Sequence, residues 1–213
     1  MKRIYLVLVF VSALFYVNAQ DESETYSNGD EFKTIFGGKS IGGYGGFGVG
    51  YTLIDDNSSV TFDARGGIIL GHWFAMGIGG GAFVSPYEYN VAHSTDLSLA
   101  GGYGGFFGEI ILMPRSQVHL SFPVLIGLGG AAISTRYNPN SGTDVTNYVE
   151  ETSIFTVIEP SVELEFNFTK FFRMAGFFSY RYATDLEFDN TYEVSPDALV
   201  NYTVGLRFKF GKF

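Results

Sequence analysis

Ten ionisable residues stand at alternate positions within otherwise apolar stretches of this 213-residue chain: Asp63, Arg65, Glu109, Glu159, Glu163, Glu165, Arg173, Arg181, Arg207 and Lys209. They divide into five acids and five bases. Side chains two apart on an extended strand share a face, so Glu163 projects with Glu165 and Arg207 with Lys209. Acids and bases gathered on one face can neutralise each other in an enclosed polar interior, or line a gated or proton-linked path. Equal numbers favour neutralisation, because an unpaired charge removed from water is expensive. The spacing also suggests partners. A hairpin turning at Thr169-Lys170 pairs residues whose numbers sum to about 340, which sets Glu159 opposite Arg181 and Glu165 diagonal to Arg173.

Other arrangements carry less chemistry. Gly43-Tyr44-Gly45-Gly46-Phe47-Gly48 has the G-x-G-x-x-G spacing of a dinucleotide loop, which needs a strand before it and a helix after it. This segment itself alternates as a strand, so no cofactor is expected. Gly42–Phe47 and Gly101–Phe106 share the sequence Gly-Gly-Tyr-Gly-Gly-Phe, a near-repeat that marks equivalent crowded or curved strands. His72, His93 and His119 are the only histidines. His93-Ser94 with Asp96 is the sole set resembling a hydrolytic centre, in a loop where such residues are common, so no catalytic residue is expected. His72 and His119 read as interfacial or structural, near turns at opposite ends. The absence of cysteine excludes a disulfide framework, a thiolate metal site and a cysteine-anchored lipid, and no metal site is expected. A net charge of -9 argues against nucleic acid.

The elements that must position these residues are strands. The clearest runs from Ala198 to Phe210, where Ala198, Val200, Tyr202, Val204, Leu206, Phe208 and Phe210 alternate with Asn201, Thr203, Gly205, Arg207 and Lys209. Seven further segments alternate similarly, near 43–54, 60–70, 74–84, 98–112, 118–128, 154–168 and 172–182. The connections expected are Asp55–Ser59, a tight turn at Gly71-His72, a long loop over Pro86–Leu97, Met113–Gln117, a longest loop over Ser134–Glu151, Thr169-Lys170, and an acidic loop over Thr184–Asp197. Short turns follow the second, fourth and sixth segments; longer loops follow the third, fifth and seventh. A membrane barrel has this asymmetry, and a soluble sandwich has no reason for it. Pro123 and Pro160 fall inside strands and mark a bulge or local distortion. Gly 28 and 17% aromatic residues also suit a small barrel.

The N-terminus reads as an address. Lys2-Arg3, the apolar run Ile4–Val17 and Val17-Asn18-Ala19 give residues 1–19 as a secretory signal peptide, residues 20–40 as a flexible lead-in, and 41–213 as the barrel.

With alternating strands, a signal peptide and an aromatic terminal strand, the chain resembles the small outer-membrane β-barrels of Gram-negative bacteria, of which OmpA and OmpX are familiar types. It is most similar to the Bacteroidetes-type outer membrane protein β-barrel sequences, through the ending Val204-Gly205-Leu206-Arg207-Phe208-Lys209-Phe210. The resemblance implies an all-β, eight-stranded antiparallel up-and-down transmembrane barrel with short periplasmic turns and longer extracellular loops. It implies a cell outer-membrane location, contact with outer-membrane lipid and lipopolysaccharide, and assembly by the outer-membrane barrel machinery. That machinery would read a C-terminal signal formed by Tyr202, Val204, Leu206, Phe208 and Phe210. Phe213 lies out of phase with that series, so either the tail is tolerated or a bulge restores it.

An eight-stranded barrel leaves room inside for side chains only. The ten charges are therefore expected to be luminal, filling a monomeric, non-enzymatic protein that serves envelope structure or surface interaction through its loops. The alternatives are a narrow channel for small or hydrophobic solutes and a lipid-modifying enzyme. The loop acids Asp55, Asp56, Asp144, Glu150, Glu151, Asp185, Glu187, Asp189, Glu193 and Asp197 read as solvated surface, with divalent-cation bridging to lipopolysaccharide as the functional alternative.

Overall fold

The computed structural model describes residues 41–90, 95–137, 146–188 and 194–213. Ten strands appear: β1 (Ile41–Ile54), β2 (Asn57–Leu70), β3 (Phe74–Val84), β4 (Glu88–Asn90), β5 (Thr95–Leu112), β6 (Val118–Tyr137), β7 (Thr146–Asn167), β8 (Phe172–Tyr180), β9 (Tyr182–Ala183) and β10 (Tyr202–Lys212). The short β4 pairs only with β5 along the line of β3, and β9 continues β8 beside β7. Eight antiparallel walls result, in the order β1-β2-β3-β5-β6-β7-β8-β10, and β10 pairs back onto β1 to close the ring. Closure removes the free edge that an aromatic terminal strand would otherwise present.

The residue alternation decides which face meets what. Phe47 is 55% exposed and Phe106 77%, with Phe62, Ile78, Ile126, Leu128 and Leu206 likewise outward, whereas Thr52, Thr61, Ser121 and Thr203 face in and are buried. A wall apolar outside and polar inside inverts the soluble arrangement and suits hydrocarbon around the ring. Aromatics gather near both ends. Trp73 and Phe74 lie 5.7 Å apart beside one short turn, and Tyr180 and Tyr182 lie 4.6 Å apart at the opposite end.

Several connections differ from the sequence expectation. Asp55 and Asp56, with φ of 49° and 63°, make a two-residue turn from Ile54 to its partner Asn57, so Ser58 and Ser59 belong to β2. Both turn residues are left-handed, which matches the twist of the flanking strands and which Asp tolerates. The expected loops over Pro86–Leu97 and Ser134–Glu151 are partly strand. Here β4, β5, β6 and β7 extend their ladder beyond the rim, with a register shift between Ile133 and Ser134. The last strand begins at Tyr202, later than the pattern suggests. Ala198 and Leu199 are instead buried in the returning loop, held by bonds from Ala198 N to Ser195 O (3.1 Å) and Asp55 N to Ala198 O (3.3 Å). The apolar character of 198–200 serves a cap over the mouth, which period-two reasoning cannot distinguish from a strand.

The prolines open a gap in the β6–β7 ladder without shifting it. Ser121 pairs Glu163 and Val124 pairs Pro160, in one register, and the pairing is interrupted between them. The bulge lies ten residues further along, at Ile133 and Ser134. Loss of two N–H donors explains the gap.

Candidate functional site

The inward face is layered. At the long-loop end Ile54, Phe83, Leu99, Ile133, Phe155, Val157 and Leu199 are all buried. At the short-turn end Tyr44, Ile69, Ala75 and Ile111 are buried, while Phe107 sits among the charges with Arg65 5.5 Å over its ring. The charged residues lie between. The lumen is thus less polar than the sequence suggested. Phe83, Phe107 and Phe155 sit at inward positions within glycine-rich or mixed stretches whose outward residues dominated the pattern.

All ten ionisable residues are engaged in ion pairs. Lys209, on β10, is the hub. Its Nζ donates to Glu109 Oε1 (2.6 Å) and Glu165 Oε1 (2.7 Å) and stands 2.7 Å from Glu163 Oε2. Glu163 also meets Arg65 Nη1 at 3.1 Å and Arg207 Nη1, while Arg207 Nε donates to Asp63 Oδ1 at 2.7 Å. Glu165 receives Arg173 Nη1 at 3.3 Å. These eight residues form one connected network. Glu159 and Arg181 form a separate pair at 3.3 Å. The register explains both hairpin pairs: Asn167 faces Arg173 and Ile158 faces Tyr182, each summing to 340.

Desolvating so many charges is tolerable only where each keeps an opposite charge and its remaining hydrogen-bonding groups are occupied. Neutral residues supply the latter. Tyr44 Oη donates to Glu109 Oε2, and Tyr103 Oη to Glu159 Oε2. Ser121 Oγ donates to Glu165 Oε1 at 2.6 Å, and His119 Nε2 lies 3.0 Å from Glu165 Oε2. Cations also rest on rings, Arg207 over Phe177 at 4.2 Å and Arg173 over Phe213 at 3.8 Å. His119 therefore sits inside, at the same short-turn end as His72, not at the opposite end.

The two Gly-Gly-Tyr-Gly-Gly-Phe copies do the same job. In each, the tyrosine turns inward to a glutamate and the phenylalanine outward to the lipid side. A Cβ on Gly101 or Gly105 would meet the backbone of β6, whereas one on Gly45 would meet open space. The glycines let large luminal side chains pass close to the wall.

The carboxylates of the cluster are each matched by a cation, although Arg173 Nε is buried without a hydrogen-bond partner. Glu109, Glu163 and Glu165 bring carboxylate oxygens within 4.8 Å of one another, a spacing that suits a cation, and the Lys209 ammonium occupies that position. Ser121 and His119 both turn to Glu165, so no hydroxyl is poised as a nucleophile on an imidazole there. His93 and Ser94 lie outside the described residues, as do the side chains of Tyr89, Tyr137, Tyr148, Glu150 and residues 138–145 and 189–193.

The terminal aromatics separate by face. Tyr202, Val204, Leu206 and Phe210 are exposed outward, with Phe208 partly covered by Phe47 and Phe172. The β10 ladder runs unbroken to Lys212 opposite Gly43, so neither a loose tail nor a bulge occurs. Phe213 consequently faces in, stacked on Tyr44 at 6.0 Å.

A closed, side-chain-filled ring of eight antiparallel strands with an apolar outer belt defines a transmembrane β-barrel. No protein-family profile and no curated protein sequence matches this chain. Among solved structures it is similar to Neisserial surface protein A (NspA), over 81% of this chain and 97% of that one, with a TM-score of 0.50 and 13% identity. It is also similar to Ail, the attachment invasion locus protein of Yersinia pestis, solved with the heparin analogue sucrose octasulfate (80% and 98% covered, TM-score 0.48, 12% identity). A further match is the N-terminal β-barrel domain of Pseudomonas aeruginosa OprF (81% and 98% covered, TM-score 0.39, 11% identity). The chain has the fold of the small, OmpA/OmpX-like outer-membrane β-barrels. Identity this low speaks to fold alone.

Proposed function

We propose that this protein is a non-enzymatic, monomeric barrel of the Gram-negative outer membrane that serves envelope structure or surface interaction through its external loops. In this proposal residues 1–19 are a cleaved signal peptide, 20–40 a periplasmic segment and 41–213 the barrel. The outward series Tyr202, Val204, Leu206, Phe208 and Phe210 is the signal read by the assembly machinery, and Phe213 stays inside. The observation that carries the functional part is the closed lumen. Eight charged side chains joined in one network with Lys209 at its hub, with apolar layers on both sides, support a wall that holds its shape and leave little space for solute. Activity then belongs to the surface. The protruding β4–β7 sheet and the acids Asp55, Asp56, Asp185, Glu187 and Asp197 favour contact with lipopolysaccharide through divalent cations.

Planar-bilayer recording of the refolded protein tests this. A filled lumen predicts no steady openings. Reproducible unit conductance would replace this proposal with a narrow channel. Altered lipid A in an overproducing strain, lost on changing His93 or Ser94, would replace it with a lipid-modifying enzyme.

A further inference from the structure

The cations outside the lumen are not scattered. Among the described residues with placed side chains they are Arg115, Lys170 and Lys212, all exposed and all at the short-turn end. The short turns Gly71–Trp73, Met113–Gln117 and Phe168–Phe171 contain no acid. Among the described residues with placed side chains, the exposed acids are Asp56, Asp185, Glu187 and Asp197, all at the opposite end. Backbone bonds tie the three basic positions into one arc. Asn167 N donates to Gln117 O at 2.9 Å and Asn167 Nδ2 to Ser116 O at 2.6 Å, which joins the Arg115 turn to the end of β7. Gly211 N donates to Phe171 O at 2.9 Å, which joins the Lys170 turn to the Lys212 end of β10. None of the three forms an ion pair with another described residue.

Beneath this arc lies an aromatic shelf. Phe168 is 58% exposed and Phe171 61%, with Phe172 and Phe210 5.0 Å apart beside them and Phe171 6.1 Å from Phe210. Cations on a rim above exposed rings match, from the protein side, a phosphate headgroup above acyl chains.

We propose that the Arg115–Lys170–Lys212 arc is a docking surface for anionic phospholipid headgroups in the leaflet adjoining the short turns. The proposal rests on the transmembrane reading above. Its chemistry is phosphodiester recognition by three cations that pair with no acid among the described residues, with the Phe168–Phe171–Phe210 shelf seating the chains. The arc fixes the depth of the ring by holding its short-turn end at the headgroup layer, while the acidic opposite end is repelled from such lipid.

The full chain, refolded in detergent, is to be mixed with phosphatidylglycerol and phosphatidylcholine of identical acyl chains and assayed by native mass spectrometry. Heat-modifiable gel mobility is measured on the same samples. Retention of phosphatidylglycerol over phosphatidylcholine by about tenfold or more is expected at low salt, given about fivefold per cation. The Arg115→Gln, Lys170→Gln, Lys212→Gln triple variant should lose that preference and keep its heat-modifiable mobility, because none of the three residues supports the lumen. Equal retention of both lipids by a correctly folded wild type overturns the proposal alone, and so does an undiminished preference in the triple variant. Displacement of the lipid by millimolar inorganic phosphate overturns it in favour of a free-anion site. A wild type with no heat-modifiable form overturns the transmembrane reading, and this inference with it.

Discussion

Replacing Lys209 with methionine should cost more stability than any other single change in the lumen. Methionine keeps most of the apolar stem and removes only the ammonium. Glu109, Glu163 and Glu165 would then face each other within 4.8 Å with no cation among them. Two charges at that distance repel by about 3.5 kcal/mol at an effective dielectric near 20. Three such pairs set an upper scale of about 10 kcal/mol, which relaxation and water entry reduce. A loss of about 3–5 kcal/mol is the expected result, the usual cost of stripping one partner from a buried cluster. A second change localises the cause. Glu163 keeps Arg65 and Arg207, and Glu165 keeps Arg173, whereas among the described residues the only cation bound to Glu109 is Lys209. Adding Glu109→Gln to Lys209→Met restores charge balance and should recover at least half the loss. Trp73 is the only tryptophan and lies at a short turn, so its fluorescence follows urea unfolding in lipid vesicles. A Lys209→Met variant within about 1 kcal/mol of wild type refutes the hub, as does a double variant whose cost equals the sum of the singles.

Arg181→Ala leaves Glu159 without its paired cation and should destabilise the barrel by a few kcal/mol, read in the same urea titration. Gly205→Ala drives a Cβ into the Val49 carbonyl, with Gly50 Cα at 2.7 Å and Phe177 at 2.8 Å, so a loss of about 1–3 kcal/mol is expected; Gly45→Ala, which meets open space, is the control and should be near neutral. Deleting Phe213 removes the ring stacked on Tyr44 and under Arg173, and should lower stability by about 1–3 kcal/mol while Phe210 still supports insertion, as membrane fractionation would show. Ile126→Arg places a cation on the lipid face and should cost about 2–4 kcal/mol in vesicles, with little effect from Val149→Arg beyond the rim.

The alternation of Phe62, Ile78, Leu206 and their neighbours was enough to read a barrel, because a one-residue slip would turn every such side chain into the lumen. The Glu159–Arg181 opposition was readable for a related reason: a tight turn fixes register arithmetically. His119 opposite Glu165 depends on the β6–β7 register, which a long loop and the shift at Ile133 and Ser134 conceal from counting. Contacts across the ring, such as Lys209 to Glu109, join β10 to β5 and follow from closure rather than from any spacing along the chain. Tyr44 and Tyr103 carried a usable signal in the Gly-Gly-Tyr-Gly-Gly-Phe near-repeat; its glycines pointed to crowding, and the tyrosine between them is what the crowding admits. Phe213 reads as out of phase with the outward series, and simple alternation continued three residues past Phe210 sends it inward; which ring it meets there follows from closure onto β1.

Everything above depends on the ring closing and spanning the outer membrane. Cell fractionation combined with gel mobility of unheated and boiled samples tests it most directly. The protein should be found with outer membranes, resist extraction without detergent, and migrate differently before and after boiling. A protein recovered in soluble form without detergent, with one mobility in both samples, would exclude a membrane-spanning barrel.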